Sequence, residues 1–141
     1  PVHHCGFDLT GVKGNKLQLM PLRGHSEIVE GWKTTDHANA FEDLKTQGPE
    51  KQSIPGCVKC HVVAYDQVGG FVDMELTPEL KDVQCEACHG PGRMHVEESG
   101  DPSLIVGKPD AAVCRECHTE GQDKNFDYAT KSKFVHGEPI E

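Results

Sequence analysis

Six of the seven cysteines fall into three copies of the pentapeptide Cys-x-x-Cys-His. Residues at positions i, i+3 and i+4 share one face of a helical turn, so two thiols and one imidazole point the same way. This spacing is typical of c-type haem attachment, where the thiols bond the vinyl groups and the imidazole reaches the iron. The motifs therefore predict three covalently attached haem c groups. They comprise Cys57, Cys60 and His61; Cys85, Cys88 and His89; and Cys114, Cys117 and His118.

Zinc, a redox dithiol and disulfides are the alternatives for these cysteines. Two Cys-x-x-Cys knuckles can make a closed tetrahedral zinc site, and one alone can be a redox pair. Zinc ribbons, however, use knuckles in pairs and need no histidine directly after every second cysteine. A random chain of this composition would contain about 0.02 such pentapeptides. Haem is therefore the favoured interpretation.

The composition agrees with a bound group that fills space. Of the 141 residues only 35% are hydrophobic and 6% aromatic, whereas 15 are glycine and 9 are proline. Such a chain is poorly equipped to fill a close-packed interior with its own side chains. We expect one domain over residues 1–141, with an irregular segment at 1–25, a haem-binding body at 26–141 and a core formed largely by haems.

Charge and hydropathy exclude several classes. The 23 acidic and 14 basic residues give a formal charge of −9, which disfavours a nucleic-acid binder. The apolar runs are too short to predict a membrane span. The chain opens at Pro1 without an apolar leader, so it reads as a mature form whose signal peptide has been removed. Because c-type haem is attached outside the cytoplasmic membrane, we expect a periplasmic or cell-surface protein.

The predicted fold is mainly α and loop-rich, with a minor β-hairpin. Apolar spacing and capping residues indicate short helices, and the hairpin would pair residues 62–65 with 71–74 around a glycine-containing loop. The helices are predicted to begin near Ser26 and to cover residues 36–45, 93–99, 111–118 and 126–135.

The sixth ligand of each iron decides between electron transfer and ligand chemistry. Six histidines lie outside the motifs, and we expect three of them to be second axial ligands. His37 lies on the apolar face of a predicted helix, His95 follows a Gly-Pro-Gly turn, and His136 has apolar neighbours. We expect surface or other non-ligand positions for His3, His4 and His25, and an inert thiol for Cys5. Met20, Met74 and Met94 are competing ligands that more often fill a core.

The order of these motifs resembles the cytochrome c-554 family of multihaem electron carriers, over roughly residues 25–118. The family implies a mainly helical periplasmic carrier with closely packed haems and a distal histidine at His37. It also implies a distal ligand soon after the Gly-Pro-Gly turn, for which His95 is the nearest match. The matching stretches are GWKTTDHANA at 31–40, CVKCHV at 57–62, GGF at 69–71, VQCEACHGPGR at 83–93 and the motif at 114–118.

The sequence differs from the family pattern at the N-terminus. Four-haem members carry another Cys-x-x-Cys-His twelve residues before the His37 position, and here that place reads PLRGH over residues 21–25. The histidine, His25, is kept and both cysteines are absent. The chain thus resembles a three-haem relative without the first attachment site. In the family one haem can be five-coordinate, which corresponds here to the haem of Cys57 to His61.

Three functions are open at this point. The first is an electron carrier whose acidic surface meets redox partners with basic docking surfaces. The second is a reductase of nitric oxide, hydroxylamine or another small molecule at an open haem on His61. The third is a homo-oligomer or filament in which His3 or His4 completes a neighbour's iron. No catalytic triad or phosphate-binding loop is recognisable, so the sequence favours the carrier.

Overall fold

The computed structural model describes residues 25–138 as short helices joined by loops. Within that range the β-structure consists of two isolated bridges, Val62 with Lys81 and Val135 with Gly137. No helix there is long and apolar enough to span a bilayer. The α-helices are α1 (Ser26–Trp32), α2 (Ala40–Gln47), α3 (Pro55–Val58), α4 (Cys85–His89), α5 (Arg93–Glu97), α6 (Ala111–Arg115) and α7 (Tyr128–Lys131). The 3₁₀-helices are Asp36–Asn39, Pro49–Ser53, Pro78–Leu80, Pro102–Leu104 and Ser132–Phe134.

One apolar cluster occupies the first half of the described chain. Helix α2 contributes Phe41 and Leu44, which are spaced three residues apart and so lie on one face. The Phe41 ring packs at 5.5 Å, centroid to centroid, against that of Phe71. The other members of the cluster are Val58, Val62, Val63 and Leu80. This cluster surrounds the first Cys-x-x-Cys-His motif and holds it in place.

The predicted β-hairpin is wrong. The Val63 amide donates to the carbonyl of Leu80 and the Phe71 amide donates to that of Val63, so residue 63 joins two different segments. The chain between Ala64 and Gly70 turns too tightly for a ladder to continue. A β-carbon on Gly70 would lie 1.7 Å from the Ala64 carbonyl oxygen, a contact that only glycine permits.

The predicted helix over residues 36–45 is divided in two. Asp36–Asn39 form a 3₁₀ turn and α2 follows, ending before Gly48 as expected. Phe41 and Leu44 therefore point into the apolar cluster, whereas His37 belongs to the preceding turn. On that turn the His37 ring faces the ring of His118, with the two centroids 6.0 Å apart.

The second half of the described chain has little apolar core. Between Val83 and Glu138 the only buried hydrophobic side chain is that of Phe126. Helix α6 begins as predicted, because the Asp110 carboxylate accepts the Ala112 amide at 2.8 Å, but it ends at Arg115. The predicted last helix is shorter and consists of α7 and a 3₁₀ turn. Hydrogen bonds, rather than packing, set the conformation of this half.

Asp82 supports a stability prediction. The residue is 6% exposed, and its carboxylate accepts the Phe41 amide at 2.9 Å. Its φ of 69° is a conformation that Asp and Asn tolerate better than Ala. We expect Asp82→Ala to lower the free energy of unfolding by about 1–3 kcal/mol, because the buried amide loses its acceptor. Asp82→Gly removes the same acceptor but tolerates the positive φ. Its loss of stability therefore measures the hydrogen bond without the backbone strain. Urea unfolding that left both variants as stable as the parent would contradict this.

The charge of Asp82 has the opposite effect on stability. Burial raises the pKa of its carboxyl, and the Phe41 amide offsets this only in part. A carboxyl whose pKa is raised on folding favours the folded state below the unfolded pKa, and that contribution is lost as the pH rises through the folded value. Asp82→Asn keeps an acceptor and removes the charge. Its stability relative to the parent should therefore rise between acid and neutral pH.

Candidate haem-binding site

The three motifs lie at helical turns, as their spacing requires. Cys57 is on α3, residues 85–89 form α4, and Cys114 is on α6. The motif histidines His61 and His118 follow their helices in continuing turns, with their amides bonded to the carbonyls of Val58 and Cys114. In each motif the two thiols and the imidazole are thus carried by one turn of chain.

The thiols of different motifs are close together. Burial raises the pKa of the Cys117 thiol to about 12, and a hydrogen bond with the Cys60 thiol contributes to this shift. Burial also raises the pKa of the Cys88 thiol, and the Cys114 thiol of the third motif raises it further. All three motifs therefore converge on one region, although Cys57 and Cys117 are 60 residues apart in the sequence.

Each motif histidine uses its Nδ1 in a hydrogen bond. His61 bonds the Ala40 carbonyl, and His89 bonds that of Val106 at 2.5 Å. His118 bonds the Asp123 carboxylate at 2.9 Å. Carbonyl and carboxylate oxygens only accept, so Nδ1 must carry the proton and Nε2 keeps a free lone pair. This is the tautomer that metal-ligating histidines adopt when an outer partner orients the ring.

The surroundings of His118 are the most elaborate. Its ring stacks on that of Phe126, with centroids 4.4 Å apart and planes 20° from parallel. The guanidinium of Arg115 lies 4.9 Å from the centre of the same Phe126 ring and donates to the Phe126 carbonyl at 2.9 Å. These contacts fix the His118 ring from one face while Asp123 fixes its Nδ1 edge.

Two motif histidines face a second imidazole. The His37 ring lies 6.0 Å from that of His118, and the His136 ring lies 6.0 Å from that of His89, centroid to centroid. These separations exceed the 4.4 Å between the centroids of His118 and Phe126 and the 5.5 Å between those of Phe41 and Phe71.

The position of His37 depends on the segment before the second motif. Its carbonyl accepts the Val83 amide at 3.0 Å, and the indole of Trp32 donates to the Val83 carbonyl at the same distance. Burial lowers the pKa of His37, and the neighbouring imidazole of His118 lowers it further. A neutral imidazole is the form that binds a metal.

His136 is held by contact between two glycines. A β-carbon on Gly31 would lie 2.1 Å from the His136 carbonyl oxygen, and one on Gly137 would lie 2.6 Å from that of Gly31. Gly137 also has a φ of 92°, which favours glycine. Burial lowers the pKa of His136, with a further contribution from His89. The close approach of helix α1 therefore presents His136 to His89.

His95 does not face a motif histidine. Its ring lies 6.3 Å from that of His25, which the sequence had placed among the non-ligand histidines. Within residues 25–138 no ring contact joins His61 to another imidazole, although His61 is close enough to His37 to lower the pKa of His37. The competing Met74 and Met94 are 44% and 51% exposed, and His3, His4, Met20 and Cys5 lie outside the described residues.

The spacing of the pairs suits an iron atom between two trans imidazoles. A metal–nitrogen bond of about 2.0 Å plus the radius of the ring puts each centroid about 3.2 Å from the metal, or about 6.3 Å apart for trans ligands. Tetrahedral ligands would be only about 5 Å apart. Between residues 25 and 138 no three His, Cys, Asp or Glu side chains are gathered around a bare-ion site. The thiols, the Nε2 lone pairs and the spacing together fit haem c.

Repeated motifs on helical turns, in a chain with a sparse core, define a c-type multihaem cytochrome. The chain resembles the cytochrome c-554 family, as the residues from Trp32 onward predict. The sequence model of the family described as "Cytochrome c554 and c-prime" matches residues 23–90.

Known proteins support the same class. Cytochrome c-554 of Nitrosomonas europaea is 37% identical, in a match that covers 49% of this chain and 35% of that protein. The multihaem cytochrome MtrA of Shewanella baltica is 30% identical over 45% of this chain and 23% of its own length. The matches thus span about a third or less of these relatives. The reduced structure of the Nitrosomonas cytochrome c554 superposes with a TM-score of 0.58 at 26% identity, covering 82% of this chain and 80% of that one.

Proposed function

We propose that this protein is an exported, periplasmic electron carrier with three haem c groups. The observation that carries the proposal is the convergence of three attachment motifs, two of which have a second imidazole at 6.0 Å. Bound haem iron supplies one-electron redox chemistry. Thiol contacts between motifs support direct transfer from one haem to the next, since Cys60 and Cys117 belong to different motifs.

In this proposal the chain's residues divide into attachment and ligation. The six motif cysteines would form thioethers, and His61, His89 and His118 would bind the irons. His37 would supply a second ligand to the iron of His118, and His136 would do so for the iron of His89. Two histidine ligands close an iron to small molecules and favour electron transfer.

The mass of the denatured holoprotein and its visible spectra test this proposal. We expect a mass excess of three haems and low-spin bands from the irons of His89 and His118. A protein that carries no covalent haem after expression with a c-type maturation system would overturn it. Zinc in place of haem would show that the Cys-x-x-Cys pairs form a zinc site instead.

The partners are proposed to be redox proteins with basic docking surfaces. The chain carries a formal charge of −9, and haem propionates add further negative charge. Rates of electron transfer to a basic partner should fall as ionic strength rises, because screening weakens the encounter. Rates that rise with salt would contradict a basic partner.

A second candidate function rests on His61, which has no facing imidazole within residues 25–138. An iron held by His61 alone would have an open position for nitric oxide or another small ligand. Carbon monoxide added to the reduced protein would then shift the spectrum of one haem. If no haem responds, the carrier function stands alone.

Asp123 should lower the reduction potential of the haem on His118. A carboxylate acceptor donates more electron density through the imidazole than the carbonyls behind His61 and His89 do, and so it favours ferric iron. We expect Asp123→Asn to raise one potential by on the order of 40 mV, equivalent to about 1 kcal/mol for one electron. Potentiometric titration of each haem measures this.

Asp127→Asn is the matched control for this variant. The Asp127 carboxylate accepts the Thr130 amide at 2.9 Å and caps α7. Removing its charge changes the local field without touching an axial histidine. Equal shifts in the two variants would show that net charge, rather than the bond to His118, sets the potential.

A further inference from the structure

A third histidine pair has the spacing of the two proposed haem-ligating pairs but contains no motif histidine. The rings of His25 and His95 are 6.3 Å apart, against 6.0 Å for each of the other pairs. Their planes lie at 75° to each other. The plane of each imidazole contains its own metal–nitrogen bond, and each ring can rotate about that bond. Any angle between the two planes is therefore compatible with one iron between the rings.

His95 is oriented in the same way as the motif histidines. Its Nδ1 donates to the Asp101 carbonyl at 2.8 Å, which leaves the Nε2 lone pair free. Asp101 is itself fixed, because its carboxylate accepts both the amide and the hydroxyl of Ser103. A histidine on the surface needs no such outer partner, whereas a metal ligand is typically held by one.

The elements that carry this pair, and the 3₁₀-helix packed against α5, also carry apolar side chains that are open to solvent. Ile28 lies one helical turn beyond His25 and is 39% exposed. Met94 on α5 and Leu104 on the 3₁₀-helix packed against α5 are 51% and 38% exposed. A bare metal ion would leave these side chains in water, but a porphyrin would cover them. The apolar surroundings therefore favour a macrocycle over an ion.

We propose that His25 and His95 bind a fourth haem without thioether bonds. No cysteine stands within four residues before His25, where a Cys-x-x-Cys-His motif would carry both thiols. This haem would be held by two axial bonds and apolar contact only. It would exchange with solution, unlike the three covalent haems.

Two mass measurements on the intact holoprotein test the fourth haem. Native mass spectrometry should show four haems and denaturing mass spectrometry should show three. Extraction with acidified butanone, which removes only haem that lacks thioether bonds, should recover one haem per chain. A preparation grown with added haemin that yields no extractable haem would overturn the proposal. The covalent count in the same sample tests the proposed function separately.

Substitutions assign the extractable haem to this pair. His25→Ala and His95→Ala should each reduce it at least tenfold while three covalent haems remain. His25 is exposed and directly precedes α1, so we expect His25→Ala to leave the fold intact. This variant therefore tests the proposal even if His95→Ala fails to fold. Glu98→Ala, just beyond α5, is the matched control and should retain the haem. Extractable haem that persists in both histidine variants contradicts the proposal. A metal ion without porphyrin that is bound by the parent and lost from both variants also contradicts it.

Discussion

Gly31→Ala will convert one additional haem from low to high spin and open its iron to carbon monoxide. The new β-carbon would meet the His136 carbonyl oxygen at 2.1 Å, so the segment that carries His136 must move away. The iron on His89 then loses its proposed second ligand. Crowding of this kind also costs about 1–3 kcal/mol of stability. Visible spectra with and without carbon monoxide measure the first effect, and urea unfolding measures the second.

The control and the comparison variant make this result specific. Gly121→Ala adds the same methyl group where the only atom within 4 Å is the Thr119 hydroxyl, and should change neither spectrum nor stability. His136→Ala should reproduce the spectrum of Gly31→Ala. The double variant should add no further high-spin signal if both act on one ligand. A low-spin Gly31→Ala protein would show that His136 is not the ligand.

Removing the thioethers of the second and third motifs will unfold the second half of the chain and spare the first. Residues 83–138 bury only Phe126 among their hydrophobic side chains, whereas the cluster around Phe41 and Leu44 is formed by protein alone. In a variant with Cys85, Cys88, Cys114 and Cys117 replaced by alanine, we expect amide exchange in residues 83–138 at the rate of an unfolded chain. The amides of α2 should keep measurable protection.

Cys5→Ala is the control for cysteine removal, because Cys5 lies outside every motif. It should leave the haem content and the exchange pattern unchanged. Uniform protection along the quadruple variant would mean that the polypeptide, and not haem, organises the second half. Uniform loss would mean that the Phe41 cluster also depends on the haems.

The sequence predicted the chemistry better than the geometry. Three pentapeptides define the class of protein because their spacing carries the attachment chemistry locally. Helix starts at Ser26 and Ala111 were also predictable, the second from the Asp110 cap. The hairpin prediction failed because two apolar runs around a glycine-containing loop do not reveal that Gly70 packs on the Ala64 carbonyl.

The pairing of histidines was beyond local reasoning. His37, His95 and His136 were all identified as candidates, but spacing along the chain does not say which ring each one faces. His25 was set aside, although only its proximity to His95 makes it a candidate ligand. One sequence signal was available in principle: Gly31 lies inside a predicted helix, where a glycine often has a packing reason such as the close approach of another backbone.

The three histidine pairs overlap along the chain, since 25 joins 95, 37 joins 118 and 89 joins 136. With iron between them, each pair closes a loop, and every loop begins before the others have ended. A cross-link across some 80 residues removes about 4–5 kcal/mol of chain entropy from the unfolded state. Because the loops overlap, the release of one pair leaves much of its loop still constrained by another pair. Resistance to unfolding would then follow the lifetime of iron–imidazole bonds rather than the size of the apolar core.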